Sequence, residues 1–260
     1  MDEQARGGDH TLAELCVAAA AEAWRDAGEI LASGLGLVPR LAAGLAKLTF
    51  SPDLLLTDAE ALLLAAPVAV GPRRGAALEV EGWLPFSRVF DLLWSGKRHA
   101  MTMPTQIDRF GNVNISRIGD AARPKAQLLG VRGIPGNTIN HPCSFFVARH
   151  SPRSFVAEVD MASGVGYDPR RWAPGVRQDF RDLRLVVTNL AVLDFQGSAH
   201  AMRIRSVHPG VSVDDVRRQT GFELAVAADV AETLAPTAAQ LRLIREVLDP
   251  NNLRAGAFEG

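Results

Sequence analysis

The segment Leu128-Leu129-Gly130-Val131-Arg132-Gly133-Ile134-Pro135-Gly136-Asn137-Thr138-Ile139-Asn140-His141 runs from an apolar quartet into a turn rich in glycine and asparagine. An apolar run stopped by glycines, a proline and small polar residues is the pattern of a strand ending in a tight loop, where backbone N–H groups can face a ligand oxygen. Arg132 stands at the end of the run, and Asn137, Asn140 and His141 follow within a few residues. One cation and several neutral donors on a single loop suit a carboxylate or a developing oxyanion. The same residues also fit a plain strand-to-helix turn, with the glycines serving backbone geometry and Arg132 reaching solvent. For His141 that second reading is a structural hydrogen bond.

Outward from this segment the chain alternates strands and helices. Thr11-Leu12-Ala13-Glu14 is a capping box that begins an alanine-rich helix to about Asp26. A strand over 29–32, the turn Ser33-Gly34-Leu35-Gly36 and a helix over 38–48 make a βα unit. The glycines there fit close packing, and they also fit an anion at the helix N-terminus. A strand at Leu54-Leu55-Leu56 leads into Thr57-Asp58-Ala59-Glu60, so two carboxylates emerge at a strand's carboxyl end, where open α/β sheets place their ligands. Asp58 and Glu60 are the candidate catalytic carboxylates. Their alternative role is to cap and flank a following helix.

Residues 61–80 carry no clear period. A helix is expected from Trp83 to Trp94, with Phe86, Val89, Phe90 and Leu93 at helical spacing as core. A strand over 100–103 feeds a hairpin around Phe110-Gly111-Asn112. Further strands are expected at 155–159, at 183–195 as a pair turning at Asn189, and at 202–207, where His208-Pro209-Gly210 stops the last. Ser163 to Asp168 reads as a turn. Ser212 caps a short helix, and Thr237-Ala238-Ala239-Gln240 begins a final one to about Leu248.

The expected architecture is α/β: an open, mostly parallel sheet flanked by helices, one domain over residues 11–260 behind a disordered tail of residues 1–10. Hydrophobic residues at 47% and charged residues at 22% of 260 are ordinary globular usage, which argues against long disorder. A net charge of -1 gives no general pull toward nucleic acid or anionic lipid, so neither is an expected partner. With two cysteines, Cys16 and Cys143, and no clustered His or Cys, a disulfide framework and a metal site are not expected. The polar start lacks a leader pattern and no apolar run reaches membrane-spanning length, so a cytoplasmic protein is expected. Gly-x-Ser-x-Gly, His-Glu-x-x-His and Walker-type patterns are missing from the sequence, which leaves carboxylate and backbone-amide chemistry.

Four segments resemble the β subunits of class I coenzyme A transferases. Ser51 to Glu60 lies where that family carries a Ser-Glu-Asn-Gly nucleophile motif, and Gln106-Ile107-Asp108-Arg109-Phe110-Gly111-Asn112-Val113-Asn114 is similar to its Gln-x-Asp-x-x-Gly-(Asp/Asn)-x-Asn hairpin. Gly133 to Asn137 occupies the place of its glycine loop. Val187 to Val192, His208 to Val211 and Val216 to Thr220 match its C-terminal signature. The resemblance implies a fold shared with sugar-phosphate isomerases and a homologous α subunit in a heterodimer or heterotetramer. It also implies an acyl-CoA substrate, with coenzyme A entering as part of that substrate and no permanently bound cofactor. Carried over to this chain, it gives substrate or oxyanion contacts to Gln106, Arg132, Gly133, Gly136, Asn137, Asn140 and His141.

Two positions depart from the family pattern. Asp58 stands where the nucleophilic glutamate would be, with Glu60 two residues on, and Pro135 replaces a loop glycine. These departures are similar to one branch, the β subunits of heteromeric hydrolases that cleave the last ring in bacterial steroid degradation. That branch shares the Thr-Asp-x-Glu-Ala segment, the Val-Arg-Gly-x-Pro-Gly-Asn-Thr-Ile-Asn-His loop and the Ser-Gly-x-Gly-Tyr-Asp turn. It implies hydrolytic carbon–carbon cleavage of a cyclic β-keto acyl-CoA, with a glutamate of the α subunit as base. Authentic coenzyme A transfer through Asp58 or Glu60, and a binding subunit without chemistry, are the alternatives.

Overall fold

The computed structural model describes residues 9–58, 61–72, 75 and 77–258. Most of the expected N-terminal tail and Glu60 therefore lie outside the described residues. Within the domain expected over 11–260, the chain forms two compact units, residues 1–102 with 234–260, and residues 103–233. No described helix is long and apolar enough to cross a membrane.

In the first unit, helix α1 (Leu12–Ala21) starts at the Thr11 capping box, with Glu14 N–H donating to Thr11 and Glu14 accepting from Thr11 N–H. Its run of alanines is buried on almost every side, and small side chains let it lie against helix α2 (Leu37–Thr49). Strand β1 (Leu31–Gly34) precedes α2, as the strand–glycine–helix pattern predicts. A β-carbon on Gly34 would stand 2.3 Å from Pro39 O, so the glycine answers to close packing of strand on helix.

Strands β2 (Leu56–Thr57), β3 (Leu62–Leu64) and β4 (Val80–Trp83) form an antiparallel sheet. The chain after Asp58 thus returns as a strand, where a helix was the alternative. Helix α3 (Phe86–Trp94) follows, then strand β5 (Arg98–Thr102), which pairs in parallel with β1. The expected core role of the α3 aromatics is overturned. Phe86, Phe90 and Trp94 are 70%, 58% and 69% exposed, as is Trp83 at 72%, and only Leu93 of the helix is buried. Helical period identifies an apolar stripe but does not say what the stripe faces.

The final helix starts at the Thr237 capping box and widens into π turns over Leu243–Leu248. It brings Arg245 to Glu14 at 2.7 Å, and Arg254 beyond it reaches both Glu14 and Asp249. Burial acts to raise the Glu14 carboxyl. The bonds from Arg245 and Thr11 and the charge of Arg254 outweigh it and hold the pKa at about 2.

In the second unit, strands β6 (Gln106–Ile107) and β7 (Val113–Asn114) form the expected hairpin. Strands β8 (Arg117–Ile118) and β9 (Ala126–Gln127) make a second small ladder. Helix α4 (Ile134–Asn140) leads into strand β10 (Pro142–Val147). β10 pairs in parallel with β11 (Asp182–Thr188), which turns at Asn189 into antiparallel β12 (Ala191–Asp194), as expected. Strand β13 (Arg203–Val207) follows antiparallel. Helix α5 (Val213–Arg218) is capped by Ser212, and β14 (Ala225–Glu232), which carries no clear sequence signal, completes the sheet in parallel with β13. Residues 155–159 give one bridge, Ile107 to Phe155, where a strand was expected.

Leu128 to Val131 is not a strand, contrary to expectation. Gly130 and Arg132 take φ values of 82° and 52°, which turn the backbone out of any extended path, and Leu129 is exposed. The glycines that resemble the end of a strand introduce helix α4 instead.

Candidate active site

The expected site residues fall into two groups. Asp58 belongs to the first unit and lies fully buried just after β2. Its Oδ1 accepts from Leu62 N–H at 3.1 Å and its own N–H donates to Leu62 O at 3.1 Å, which closes the turn into β3. A carboxylate held in this way serves the backbone of the turn.

Arg132, Gly133, Gly136, Asn137, Asn140 and His141 gather on α4 and its flanks in the second unit. Arg132 is exposed and takes a left-handed backbone, which costs a non-glycine residue about 1–2 kcal/mol. Strain of this kind persists where the surroundings over-determine it, often at ligand-holding turns. Gly133 is the exposed N-cap. Pro135 falls in the first turn, where an N–H has no intrahelical acceptor, so its missing donor leaves the helix intact.

The remaining polar groups of α4 are engaged with the protein. Asn140 Nδ2 donates to Gly136 O at 2.9 Å. His141 is buried, with Nδ1 2.9 Å from Pro142 O and Nε2 3.3 Å from Asn137 Oδ1. The Cys143 thiol donates to Asn137 O at 3.3 Å. Asn137 and His141 thus lock the end of α4 to the start of β10. Of the expected site residues on this segment, Arg132 and Gly133 are the exposed ones.

Gln106 is likewise scaffold. Its Oε1 accepts from Asn114 Nδ2 at 2.7 Å and from Asp160 N–H at 3.1 Å, and its Nε2 donates to Asp160 at 3.2 Å. Beside it, buried Asp108 accepts from Phe110 N–H, Asn112 N–H and Asn112 Nδ2, the last at 2.7 Å. Burial pushes the Asp108 carboxyl up against the pull of those bonds, and nearby Asp168 adds to the rise. Asp168 moves down, because Arg170 bonds and faces it. Asn112 Oδ1 accepts from Gly166 N–H, and Ser163 meets Ser116 at 2.7 Å, so the hairpin and the Ser163–Asp168 turn form one buried polar assembly. Sequence reasoning assigns no role to Asp108, Asn112, Asn114, Ser163 and Asp168. The signal for them is an excess of amide and carboxylate side chains in so short a hairpin.

The chain is 50% identical to the cholesterol ring-cleaving hydrolase IpdB subunit of Rhodococcus jostii (strain RHA1), over 94% of each chain. A more distant relative is a 3-oxoadipate CoA-transferase subunit of Pseudomonas knackmussii (strain DSM 6978), 30% identical over 89% of this chain and 91% of that one. The chain belongs to the coenzyme A transferase family. No family model matches it. The solved structure of Rhodococcus jostii RHA1 IpdAB superposes with a TM-score of 0.89 at 48% identity, covering 95% of this chain and 98% of that one. In this member of the family the Gln106–Asn114 hairpin is a largely buried, hydrogen-bonded frame, Gly133 starts α4, and Asp58 lies buried in the turn after β2.

Proposed function

We propose that the chain is the β subunit of a heteromeric acyl-CoA hydrolase that cleaves a carbon–carbon bond in the ring of a cyclic β-keto acyl-CoA, in steroid catabolism. The observation that carries this reading is the 50% identity to the cholesterol ring-cleaving hydrolase subunit, sustained over 94% of both chains. Water adds to the ring ketone, and the bond from that carbon to the thioester α-carbon breaks. The electron pair leaves as a thioester enolate, which takes a proton, and the former ketone becomes a carboxylic acid. Coenzyme A enters as part of the substrate, and the chemistry calls for no permanently bound cofactor.

In this reading the base comes from the α subunit. Asp58 holds a turn, which supports a structural role, and its carboxylate is one carbon shorter than the family's glutamate. Displacement of a reacting group by ~1 Å is enough to cost about 10²-fold in rate. Arg132 and Gly133 orient a carboxylate or the enolate oxygen, Asn137, Asn140 and His141 hold that loop in place, and Gln106 ties the β6–β7 hairpin to Asp160. The buried thiols of Cys16 and Cys143, which form no disulfide, support a reducing cytoplasmic location.

The exposed α3 stripe supports a partner subunit. Phe86, Phe90 and Trp94 repeat every four residues, with the last two rings 6.1 Å apart, and Trp83 lies at the end of β4. At 150–250 Å² per aromatic side chain, mostly exposed, they present on the order of 500 Å². That is roughly the apolar share of the ~800 Å² each partner gives to a standard interface. We assign this face to the homologous α subunit.

Borohydride tests the division of labour. It reduces an acyl anhydride or coenzyme A thioester formed on a carboxylate. In the assembled complex turning over an acyl-CoA, the mass of this chain should stay unchanged. Reduction at Asp58 or Glu60 would overturn the hydrolase reading in favour of coenzyme A transfer.

A further inference from the structure

Between β8 and β9 in the second unit, residues 120–127 are exposed without a break, so this stretch buries no apolar side chain. A two-stranded hairpin by itself is marginal in water. Polar bonds secure its root instead. Gly119 N–H donates to Asp160 Oδ2 at 2.8 Å, the oxygen that also accepts from Gln106 Nε2, and Gly119 O accepts from Arg117 Nη1. On the returning strand Leu128 N–H and Gln127 Nε2 both donate to Ser116 O, at 2.9 and 3.2 Å. Gly119 and Gly130, with φ values of 88° and 82°, turn the chain at the two ends of the arm.

The charges of the arm are one-sided. Arg123 and Lys125 lie on it and Arg132 just beyond it, against a single acid, Asp120, whose Oδ1 accepts from Ala122 N–H at 2.7 Å. All three cations are exposed, and none forms an ion pair with a carboxylate among the described residues. The fold places Lys125: a β-carbon on Gly119 would stand 3.2 Å from Lys125 Cγ, so the lysine stem runs across the glycine. In a chain of net charge -1, a local excess of cations of this kind attracts an anion. Arginine meets phosphate oxygens through parallel N–H bonds, and lysine meets them as a point charge. Lys125 precedes Arg132 by seven residues, a chain length of roughly 25 Å at most, which is the order of an extended pantetheine arm.

We propose that the β8–β9 arm binds the phosphates of the coenzyme A nucleotide, with Arg123 and Lys125 as the contacts. The assignment deepens the acyl-CoA reading and rests on it: Arg132 and Gly133 meet the thioester end of the substrate, and the arm that precedes them in the chain takes the nucleotide end.

Calorimetric titration of the assembled αβ complex with coenzyme A, and with pantetheine as the probe without phosphates, tests the arm. Coenzyme A is expected to bind more tightly than pantetheine by roughly tenfold or more, and to lose most of that margin in 1 M salt, where charges are screened within about 3 Å. Arg123→Gln combined with Lys125→Gln should weaken coenzyme A by roughly tenfold or more and leave pantetheine unchanged. Both positions are exposed, so the fold should be undisturbed. Trypsin gives a second reading: coenzyme A, unlike pantetheine, should slow cleavage after Lys125. Coenzyme A that binds the double variant as it binds the parent, or leaves that cleavage unchanged, overturns the arm and leaves the ring-opening reading standing. A double variant that no longer assembles with the α subunit also overturns it, since the two cations then serve carboxylates of the partner. Weakened coenzyme A binding in a complex without ring-opening turnover keeps the arm and sinks the proposed reaction.

Discussion

Gly164 lies directly against Ile134: a β-carbon at position 164 would stand 2.5 Å from Ile134 Cγ2 and 2.8 Å from Thr138 Cγ2. The Ser163–Asp168 turn, itself bonded to the β6–β7 hairpin, therefore forms the bed on which α4 rests. Gly164→Ala should push α4 outward, because Ile134 and Thr138 are buried and β-branched and have little room to yield. Overpacking of this kind costs about 1–3 kcal/mol. A thermal melt should fall by several degrees, and turnover of the complex should fall further than partial unfolding accounts for. Unchanged turnover would detach the turn from the site.

Asp58 separates the chemical readings. Asp58→Asn keeps an acceptor for Leu62 N–H but removes the nucleophile, so turnover should stay within about threefold of the parent if the base lies in the other subunit. Asp58→Ala leaves Leu62 N–H without that acceptor and should destabilise by about 1–3 kcal/mol in chemical denaturation. Steady-state assays of Asp58→Asn and Glu60→Gln decide it, and a loss of 10³-fold or more in either would return the catalytic carboxylate to this chain.

Arg132 combines charge with a left-handed backbone. Arg132→Gly relaxes the backbone and removes the cation, so the fold should be as stable or slightly more so while KM rises, roughly tenfold or more for a lost charge-assisted contact. Arg132→Lys keeps the charge and loses the fork, and should fall between them. Melting curves and initial rates on the same preparations separate the two effects.

Phe90→Asp places a charge in the middle of the α3 stripe. Phe90 is already exposed in this chain, so the isolated subunit should melt within about 1 kcal/mol of the parent. Assembly with the α subunit should weaken by two orders of magnitude or more if the stripe is buried there. Analytical ultracentrifugation of the mixed subunits reads the outcome, and unaltered assembly would free α3 for another role.

The Glu14 cluster sets an acid limit on the first unit. Its folded-state pKa of about 2 lies below the ordinary 4.5, so the unfolded chain binds the proton more readily. The resulting stability is complete above about pH 4.5 and is lost progressively as pH falls toward 2. Glu14→Gln should flatten this part of the pH profile. It should also destabilise at pH 7, by about 1–3 kcal/mol, since it removes the charge that Arg245 and Arg254 share and leaves Asp249 as the carboxylate still paired with Arg254. Denaturation curves between pH 2 and 7 check both.

Local chemistry makes much of the fold legible in the sequence. Thr11, Ser212 and Thr237 announce their helices because a capping side chain bonds a backbone N–H only three residues away. The turn at Asn189 between two β-rich runs is closed over a similarly short range, by Leu190 N–H and Ala191 N–H donating to Thr188 Oγ1. The α3 stripe is legible as a helix but misleads as core, since a period specifies which residues share a face and is silent on what lies opposite. The Leu128–Val131 run misleads differently: four apolar residues suit a strand, but Gly130 and Arg132 take positive φ values and the chain turns into α4, which rests against Gly164 thirty positions on from Ile134.

The sequence by itself determined the family, the capped helices, the hairpin and the identity of the residues that differ from a coenzyme A transferase nucleophile, because each is written in neighbours or in a motif of fixed spacing. Only the tertiary structure decided that Gln106, Asn137 and His141 are engaged with the protein's own groups, that Asp58 closes a turn, and that α3 faces outward. Those assignments depend on which donors meet which acceptors, and on which surfaces lose water, across tens of residues of chain. Spacing along a sequence carries no record of such distances.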